Sequence, residues 1–255
     1  MNLTGKGAPC QPTGLPLISC IMPTRNRRNF IPQAIRYFLR QDYANKELLI
    51  VDDGDDPIGD LVPPDPRIRY IGQKDKMSLG AKRNLACRLT RGPLIAHWDD
   101  DDWMAGHRLS YQVNALVEKQ ADLCGLKEVV FYRPASHQAW LYVYPDDDQP
   151  WLAGGTLCYN RTYWERNPFP DLNVGEDTQF VCSKLPSEMV ALDDARFYVA
   201  LVHPGNTSRK RTYGRRWRPY PAEKVRRLLA NDWAFYHPTK HRRRRSPGGL
   251  FFDRR

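Results

Sequence analysis

The sequence predicts an α/β fold: a mostly parallel central sheet flanked by helices, with a small antiparallel element and a basic C-terminal extension. Three observations carry this. Short apolar runs alternate with helix-period segments over residues 17–120, the rhythm of βαβ units. After residue 120 the rhythm breaks into strand-like runs that end near His203. Charge is also uneven. Residues 203–255 hold 16 Lys/Arg against Glu223, Asp232 and Asp253, a local +13, so the rest carries −3 of the total +10. With 255 residues, 41% hydrophobic and 11% aromatic, the chain suits one large domain with a small appendage.

The elements follow in order. Residues 1–16 are Gly/Pro-rich and loose. Leu17-Ile18-Ser19-Cys20-Ile21-Met22 reads as a buried strand, and Pro23-Thr24-Arg25-Asn26-Arg27 as the turn after it. Phe30, Ala34, Ile35, Phe38 and Leu39 give a helix over 29–41 one apolar face. A strand over 47–51 closes at Asp52-Asp53-Gly54, and 68–70 is a short strand. A helix over 79–90 leads into the apolar run Pro93 to Trp98, and a helix over 107–119 follows. Residues 122–133 and 138–144 read as a hairpin or meander, and Trp151 to Tyr159 as a strand-loop element. Glu176 to Leu185 reads as a helix and 197–202 as the last strand. Residues 204–220 read as mobile, 222–229 as a short helix, and the tail with Arg242-Arg243-Arg244-Arg245 as disordered.

No apolar stretch approaches the roughly 20 residues that span a bilayer. Met1 to Pro16 lacks the charged start and apolar centre of a signal peptide. The six cysteines are scattered without a C-x-x-C pair, mostly in apolar contexts. They are expected to be reduced core residues of a cytoplasmic protein, not a disulfide framework or zinc site.

Asp99-Asp100-Asp101-Asp102 directly follows an apolar strand. Four carboxylates there repel one another unless a cation is present. Mg²⁺ or Mn²⁺ takes oxygen ligands, and few protein carboxylates suffice when substrate phosphates complete the shell. The tetrad therefore points to a metal-phosphate site at the carboxyl edge of the sheet, where open α/β sheets place ligands; the bland alternative is a solvated acidic loop. Asp52-Asp53 ends a strand of the same sheet and either accepts hydrogen bonds from a base or ribose or merely closes a turn. Gly175-Glu176-Asp177 opens a helix, where a carboxylate is favoured by the dipole, and Glu176 is the expected capping residue.

Taken together, Pro23-Thr24-Arg25-Asn26-Arg27, Leu49-Ile50-Val51-Asp52-Asp53-Gly54, Ala81-Lys82-Arg83-Asn84, Asp99-Asp100-Asp101-Asp102-Trp103 and Gly175-Glu176-Asp177 resemble the ordered motifs of family 2 glycosyltransferases with the GT-A fold. The resemblance implies a GT-A (Rossmann-like) domain over 17–205, with a nucleotide-binding half of about 17–105 and an acceptor half of about 106–205. Residues 206–255 form the basic loop, short helix and tail. It implies inverting transfer from a nucleotide-sugar, UDP-linked by preference, to a hydroxyl of an unknown acceptor (glycan, small molecule, protein or DNA). It also implies that Pro23, Asp53, Arg83 and Asp100 contact the nucleotide, that Asp101 binds Mn²⁺ or Mg²⁺ with Asp99 as a further candidate, and that Asp177 is the general base. A sugar hydroxyl is a poor nucleophile, so a positioned carboxylate must take its proton.

Arg25 stands where the family often has an aromatic residue. Its guanidinium can stack on a base or bind phosphate, which leaves TDP and GDP open beside UDP. His203 is a metal ligand by resemblance to some GT-A enzymes, or a structural histidine at a strand end. Arg209, Lys210 and Arg211 are candidates for a loop that closes over the diphosphate. Trp151, Gly154, Gly155 and Glu176 are the acceptor-side candidates, Trp151 for stacking and the glycines for close backbone approach; a buried Trp with a strand bulge is the alternative. Trp103 is expected to be packed. The rival reading is a nucleic-acid-binding protein using the basic C-terminal region, or a glycosyltransferase acting on a polyanion such as DNA. A catalytically dead scaffold is a third reading, disfavoured by the intact acidic sites.

Overall fold

The computed structural model describes residues 14–145, 150–183 and 189–237. Strands β1 (Ile18–Thr24), β2 (Lys46–Asp52), β3 (Ile68–Gly72) and β4 (Leu94–His97) are the predicted apolar runs, and they pair in parallel with β1 between β2 and β4. β2 and β4 are buried along their whole length, as strands covered on both faces must be. The register pairs Ile21 with His97 and Thr24 with Asp52, so these strands end at one edge.

Helices cover both faces. α1 (Ile31–Leu39) and α3 (Arg108–Lys119) lie in one core with Ile18, Cys20, Met22, Leu48 and Ile50. The alternate residues Ile21, Leu49 and Val51 face a second core with Ala86 and Cys87 of α2 (Leu79–Leu89) and Phe180 and Val181 of α5 (Glu176–Cys182). The period-2 alternation of each strand thus feeds two helical layers. Ser78 starts α2 by accepting from the Ala81 N–H at 3.0 Å.

Beyond α3, the stretch expected to be one hairpin arm divides. β6 (Leu123–Leu126) joins the main sheet and β7 (Glu128–Arg133) joins another. The reason is burial: β6 is covered on both faces, while β7 keeps one side partly open. Among the described residues, β9 (Cys158–Asn160) and β10 (Met189–Leu192) complete a seven-stranded sheet of order β10-β6-β9-β4-β1-β2-β3, in which only β9 runs antiparallel to its neighbours. A short helix α4 (Arg161–Arg166), absent from the sequence reading, follows β9.

The element expected to be antiparallel is a second, mixed sheet. β8 (Gln138–Val143) pairs with β7, β11 (Tyr198–Leu201) links β7 to β5 (Trp103–Met104), and β12 (Trp217–Tyr220) lies at the edge beside β8. It is antiparallel except that β11 runs parallel to β7. β12 corrects the expectation that 204–220 is mobile throughout: Trp217 packs on Phe131 and Tyr142, with ring centroids 4.8 and 4.9 Å away. α6 (Ala222–Leu229) forms as expected and packs against β7 and β8. α7 (Trp233–Tyr236) returns to α1, where the Tyr236 and Tyr37 hydroxyls lie 2.8 Å apart. Trp103 is packed and donates to Asp232 at 2.8 Å. The expected helix end at Leu185 and the Arg242–Arg245 tail lie outside the described residues, as does Cys10. The other five cysteines are free thiols, four of them buried. No helix among the described residues is long and apolar enough to cross a membrane.

Candidate active site

The carboxyl edge of β1, β2 and β4 opens on a cleft of about 560 Å³ whose far wall is the second sheet. The four aspartates after β4 occupy four different environments there. Asp102 turns inward, accepting from the Leu201 N–H at 2.7 Å and from the Tyr198 hydroxyl, and so fastens β11 beside the tetrad. Burial, then the charges of Asp101 and Asp99, push its carboxyl well above the usual range. Asp100 accepts from the Thr24 hydroxyl at 2.5 Å and from Arg27 Nη1 at 3.3 Å. Burial and the neighbouring Asp101 charge raise it to about 7 against the opposing pull of Arg27. Asp101 Oδ2 receives Arg27 Nη1, His203 Nε2 at 2.8 Å and Asn206 Nδ2 at 3.3 Å. Burial raises its pKa, but the His203 hydrogen bond and the Arg27 charge prevail and hold it below the usual carboxylate range. Asp99 is the open one, with a side chain 28% exposed against 7% for Asp100 and 10% for Asp101.

The repulsion that the sequence poses is thus answered in this protein by guanidiniums. Arg27 bridges Asp100 and Asp101 and also donates to the Gly205 carbonyl. Arg83 is buried between Glu176, with which it pairs directly, and Asp99 at 3.9 Å. Glu176 opens α5 as expected but does not cap it. Gly175 is the N-cap at φ 86°, no side chain caps α5, and Glu176 is a buried first-turn residue neutralising Arg83. Burial raises its pKa against the lowering effect of Arg83.

Asp177, next along α5, lines the cleft, with Oδ1 on the Thr178 N–H at 2.7 Å. It abuts Gly154: a Cβ there would stand 1.9 Å from Asp177 Oδ2. At Gly155 a Cβ would stand 2.2 Å from the Tyr198 hydroxyl and 2.3 Å from Asp99 Oδ2. The two glycines let both carboxylates press against backbone, which side chains would forbid. Their loop is held from below. His97 Nδ1 lies 2.6 Å from the Gly154 carbonyl, so that nitrogen carries the proton, and burial with the Arg83 charge keeps the imidazole neutral far below its ordinary pKa. Arg108, fully buried, donates to the His97 and Gly155 carbonyls at 2.8 and 2.9 Å.

The cleft brings together Pro23, Arg25, Arg83, Asp99, Asp100, Asp101, Trp151, Gly154, Gly155, Glu176, Asp177, Arg209, Lys210 and Arg211. His203 touches it through Asp101. Asp53 is not among the lining residues. Its side chain is fully buried, with one oxygen on Lys82 Nζ at 2.7 Å and the other on the Met77 N–H at 2.8 Å. Lys82 lines the cleft in its place. Among the described residues three buried side-chain nitrogens lack a hydrogen-bond partner, and two of them, Arg25 Nη1 and Arg83 Nε, belong to cleft residues. Sequence reasoning gave no role to Arg27, Lys82, Asp102, Tyr198 or Asn206. Arg27, Lys82 and Asp102 stand inside the motifs named above, so the signal was present; Tyr198 and Asn206 had none.

The donor set fits a divalent cation. Asp101 Oδ2 and His203 Nε2, an oxygen and an imidazole nitrogen that Mn²⁺ accepts, converge within 2.8 Å. No group of three or more His, Cys, Asp or Glu converges as a complete metal cage among the described residues.

Comparison with known proteins identifies the fold and the family. The described fold is similar to Staphylococcus aureus TarS 1–349 in complex with UDP-GlcNAc, with TM-score 0.60 and 18% identity over 75% of this chain and 60% of that one. It is also similar to the mannosyltransferase PcManGT of Pyrobaculum calidifontis in complex with GDP-Man and Mn²⁺, with TM-score 0.58 and 20% identity over 74% of this chain and 57% of that one. These likenesses establish the GT-A fold. WcaA of Escherichia coli (strain K12), named as a colanic acid biosynthesis glycosyl transferase, is 43% identical over 100 residues, 37% of this chain and 36% of WcaA. An uncharacterized glycosyltransferase of Haemophilus influenzae is 31% identical over 109 residues, 41% of this chain and 44% of that protein. The matches thus span less than half the length of these two relatives. The family model described as glycosyl transferase family 2 matches residues 19–165, more than half of the chain, and the chain belongs to that family.

Proposed function

We propose that this chain transfers a sugar, with inversion, from a nucleotide-sugar donor (UDP-linked by preference) to an acceptor hydroxyl. The carrying observation is the charge pattern of one cleft. Carboxylates Asp99, Asp100, Asp101 and Asp177 line it together with Arg25, Lys82, Arg83 and Arg209–Arg211. A nucleoside diphosphate with a divalent cation satisfies both sets, and Arg25 and Arg83 supply guanidinium charge beside it. Asp101 and His203 would hold the cation, which when bound neutralises charge on the departing diphosphate. Arg209, Lys210 and Arg211 would shield the donor from water and stabilise the same charge. Because these three cations line the cleft, they are better explained by the site than by a separate nucleic-acid surface.

Asp177 would take the proton of the attacking hydroxyl. It stands on the first turn of α5, against Gly154 and apart from the Asp100–Asp101 pair. Attack on the face opposite the leaving diphosphate, in one step, gives inversion. Glu176 would act through Arg83 and not on the acceptor, given their buried ion pair. Asp53 would act by holding Lys82 at the cleft floor, where a base contact would have to share an already occupied carboxylate. The test is a screen of UDP-, GDP- and TDP-sugars with Mn²⁺, reading nucleotide release. One donor hydrolysed by the parental chain, and about 10²–10⁴-fold more slowly by Asp177→Asn with undiminished donor binding, is the expected result. Release unaffected by Asp177→Asn would remove the base.

A further inference from the structure

The cleft also has an aromatic wall, on which Lys210 Nζ lies 5.7 Å over the Phe131 ring. Phe131, Tyr142, Trp151 and Trp217 all line it, and all four are half-buried. Their rings form a continuous run along the second sheet. Phe131 and Trp217 have centroids 4.8 Å apart, Trp217 and Tyr142 4.9 Å, and Tyr142 and Trp151 5.5 Å. Trp151 is backed by the buried Tyr144, stacked at 4.7 Å with planes 10° apart. A core would bury these rings and a surface would scatter them. Four partly open aromatics, fixed by one another on the rim of a charged cleft, are a built platform.

Resting on the glycosyl-transfer reading above, we propose that this wall is the acceptor subsite and that the acceptor is a saccharide, seated by stacking a pyranose ring. A pyranose offers a face of C–H groups to an aromatic ring and points its equatorial hydroxyls sideways. Trp151 stands three residues before Gly154, the residue against which Asp177 packs. Trp151 and Asp177 line the same cleft, so a sugar lying on Trp151 shares it with the base. The run of rings continues to Trp217 and Phe131. Nucleobases of a single strand also stack on aromatics, but such sites need a basic groove that tracks the backbone. The basic groups on this wall, Lys210 5.7 Å over Phe131 and Arg216 3.3 Å from the Tyr142 hydroxyl, are occupied by the rings themselves, and oligo-dT is the competing ligand in the test.

The test is retention of the full chain, with UDP and Mn²⁺, on an array of immobilised pyranose oligosaccharides beside immobilised single-stranded oligo-dT. Trp151→Leu and Trp217→Leu fill the volume without a π face, and Trp151→Phe and Trp217→Phe keep a ring. The expected result is retention on a subset of glycans, weakened about tenfold or more by each Leu variant and largely restored by each Phe variant. Thermal melts and UDP titrations on the same preparations confirm folding and report the donor site separately. Where a Leu variant fails to fold, protection of the parental tryptophans from N-bromosuccinimide by the retained glycan takes its place. No glycan retained, equal retention by folded Leu variants, no protection, or preferential retention on oligo-dT overturns the proposal. If UDP still binds in those cases, the donor reading survives; if no nucleotide binds at all, it is the donor reading that fails.

Discussion

Gly154→Ala moves the proposed base without changing its chemistry. The added Cβ would stand 1.9 Å from Asp177 Oδ2, 2.7 Å from its Cγ and 2.8 Å from its Cβ. Ordinary contact begins at 3.4 Å, so the carboxylate must retreat by about 1.5 Å. Gly154 itself cannot readily yield, because its carbonyl is held by His97 at 2.6 Å and by the Leu157 N–H at 3.3 Å. A misplacement of about 1 Å in a reacting group costs about 10²-fold in rate. The assay is nucleoside-diphosphate release from the hydrolysed donor under saturating Mn²⁺, beside donor affinity by titration. The expected result is a turnover loss of about 10²-fold with affinity held within a few-fold. A folded Gly154→Ala protein with turnover within threefold of the parent would refute the reasoning, since the displaced carboxylate could not then be the proton acceptor.

Glu176→Ala leaves the buried Arg83 without its nearest counter-charge, with Asp99 at 3.9 Å as a distant substitute. Breaking such a pair costs about 3–5 kcal/mol, read by urea unfolding; Glu176→Gln, which keeps an acceptor oxygen, should lose less, and a loss below about 1 kcal/mol for the alanine variant would deny the pair its role. Neutral, buried His97 gives a pH signature. Its folded pKa lies well below the ordinary value, so below pH of about 6.5 the unfolded chain binds a proton that the native state refuses. That contribution to stability, full above about 6.5, falls by up to about 1.4 kcal/mol per pH unit on acidification, and the slope between pH 6.5 and 5 should be shallower in His97→Gln. Equal slopes in the two proteins would show that His97 charges in the fold.

Much of this was legible in the sequence because its strongest signals are local. β1, β2 and β4 are apolar runs with turn residues behind them, and the aspartate tetrad follows β4 directly. What escaped depends on partners far along the chain. β12 holds Pro219 and two charge-flanked aromatics, a poor strand by composition; an edge position opposite β8 tolerates the missing N–H. Asp102 and Asp99 look alike in the sequence, yet one is turned into the core by Tyr198 and Leu201, 96 and 99 residues away. Glu176 reads as a helix-start residue until Arg83, 93 residues earlier, is seen against it. Asp53 closes β2 in plain view, but the Lys82 that pairs with it stands 29 residues on. Pairing of buried charges is a tertiary fact, and no local pattern encodes which carboxylate stays open.

The central claim is that one cleft joins a divalent cation to a nucleoside diphosphate through Asp101. Calorimetric titration of UDP and GDP, with and without Mn²⁺, into the parental chain and Asp101→Asn tests it most directly. The account predicts that Mn²⁺ tightens binding of at least one nucleotide by about tenfold or more in the parent, and that Asp101→Asn, melting within a few degrees of the parent, loses that increment. Nucleotide affinity indifferent to Mn²⁺ in the parent, or the same Mn²⁺ increment in Asp101→Asn, would contradict it.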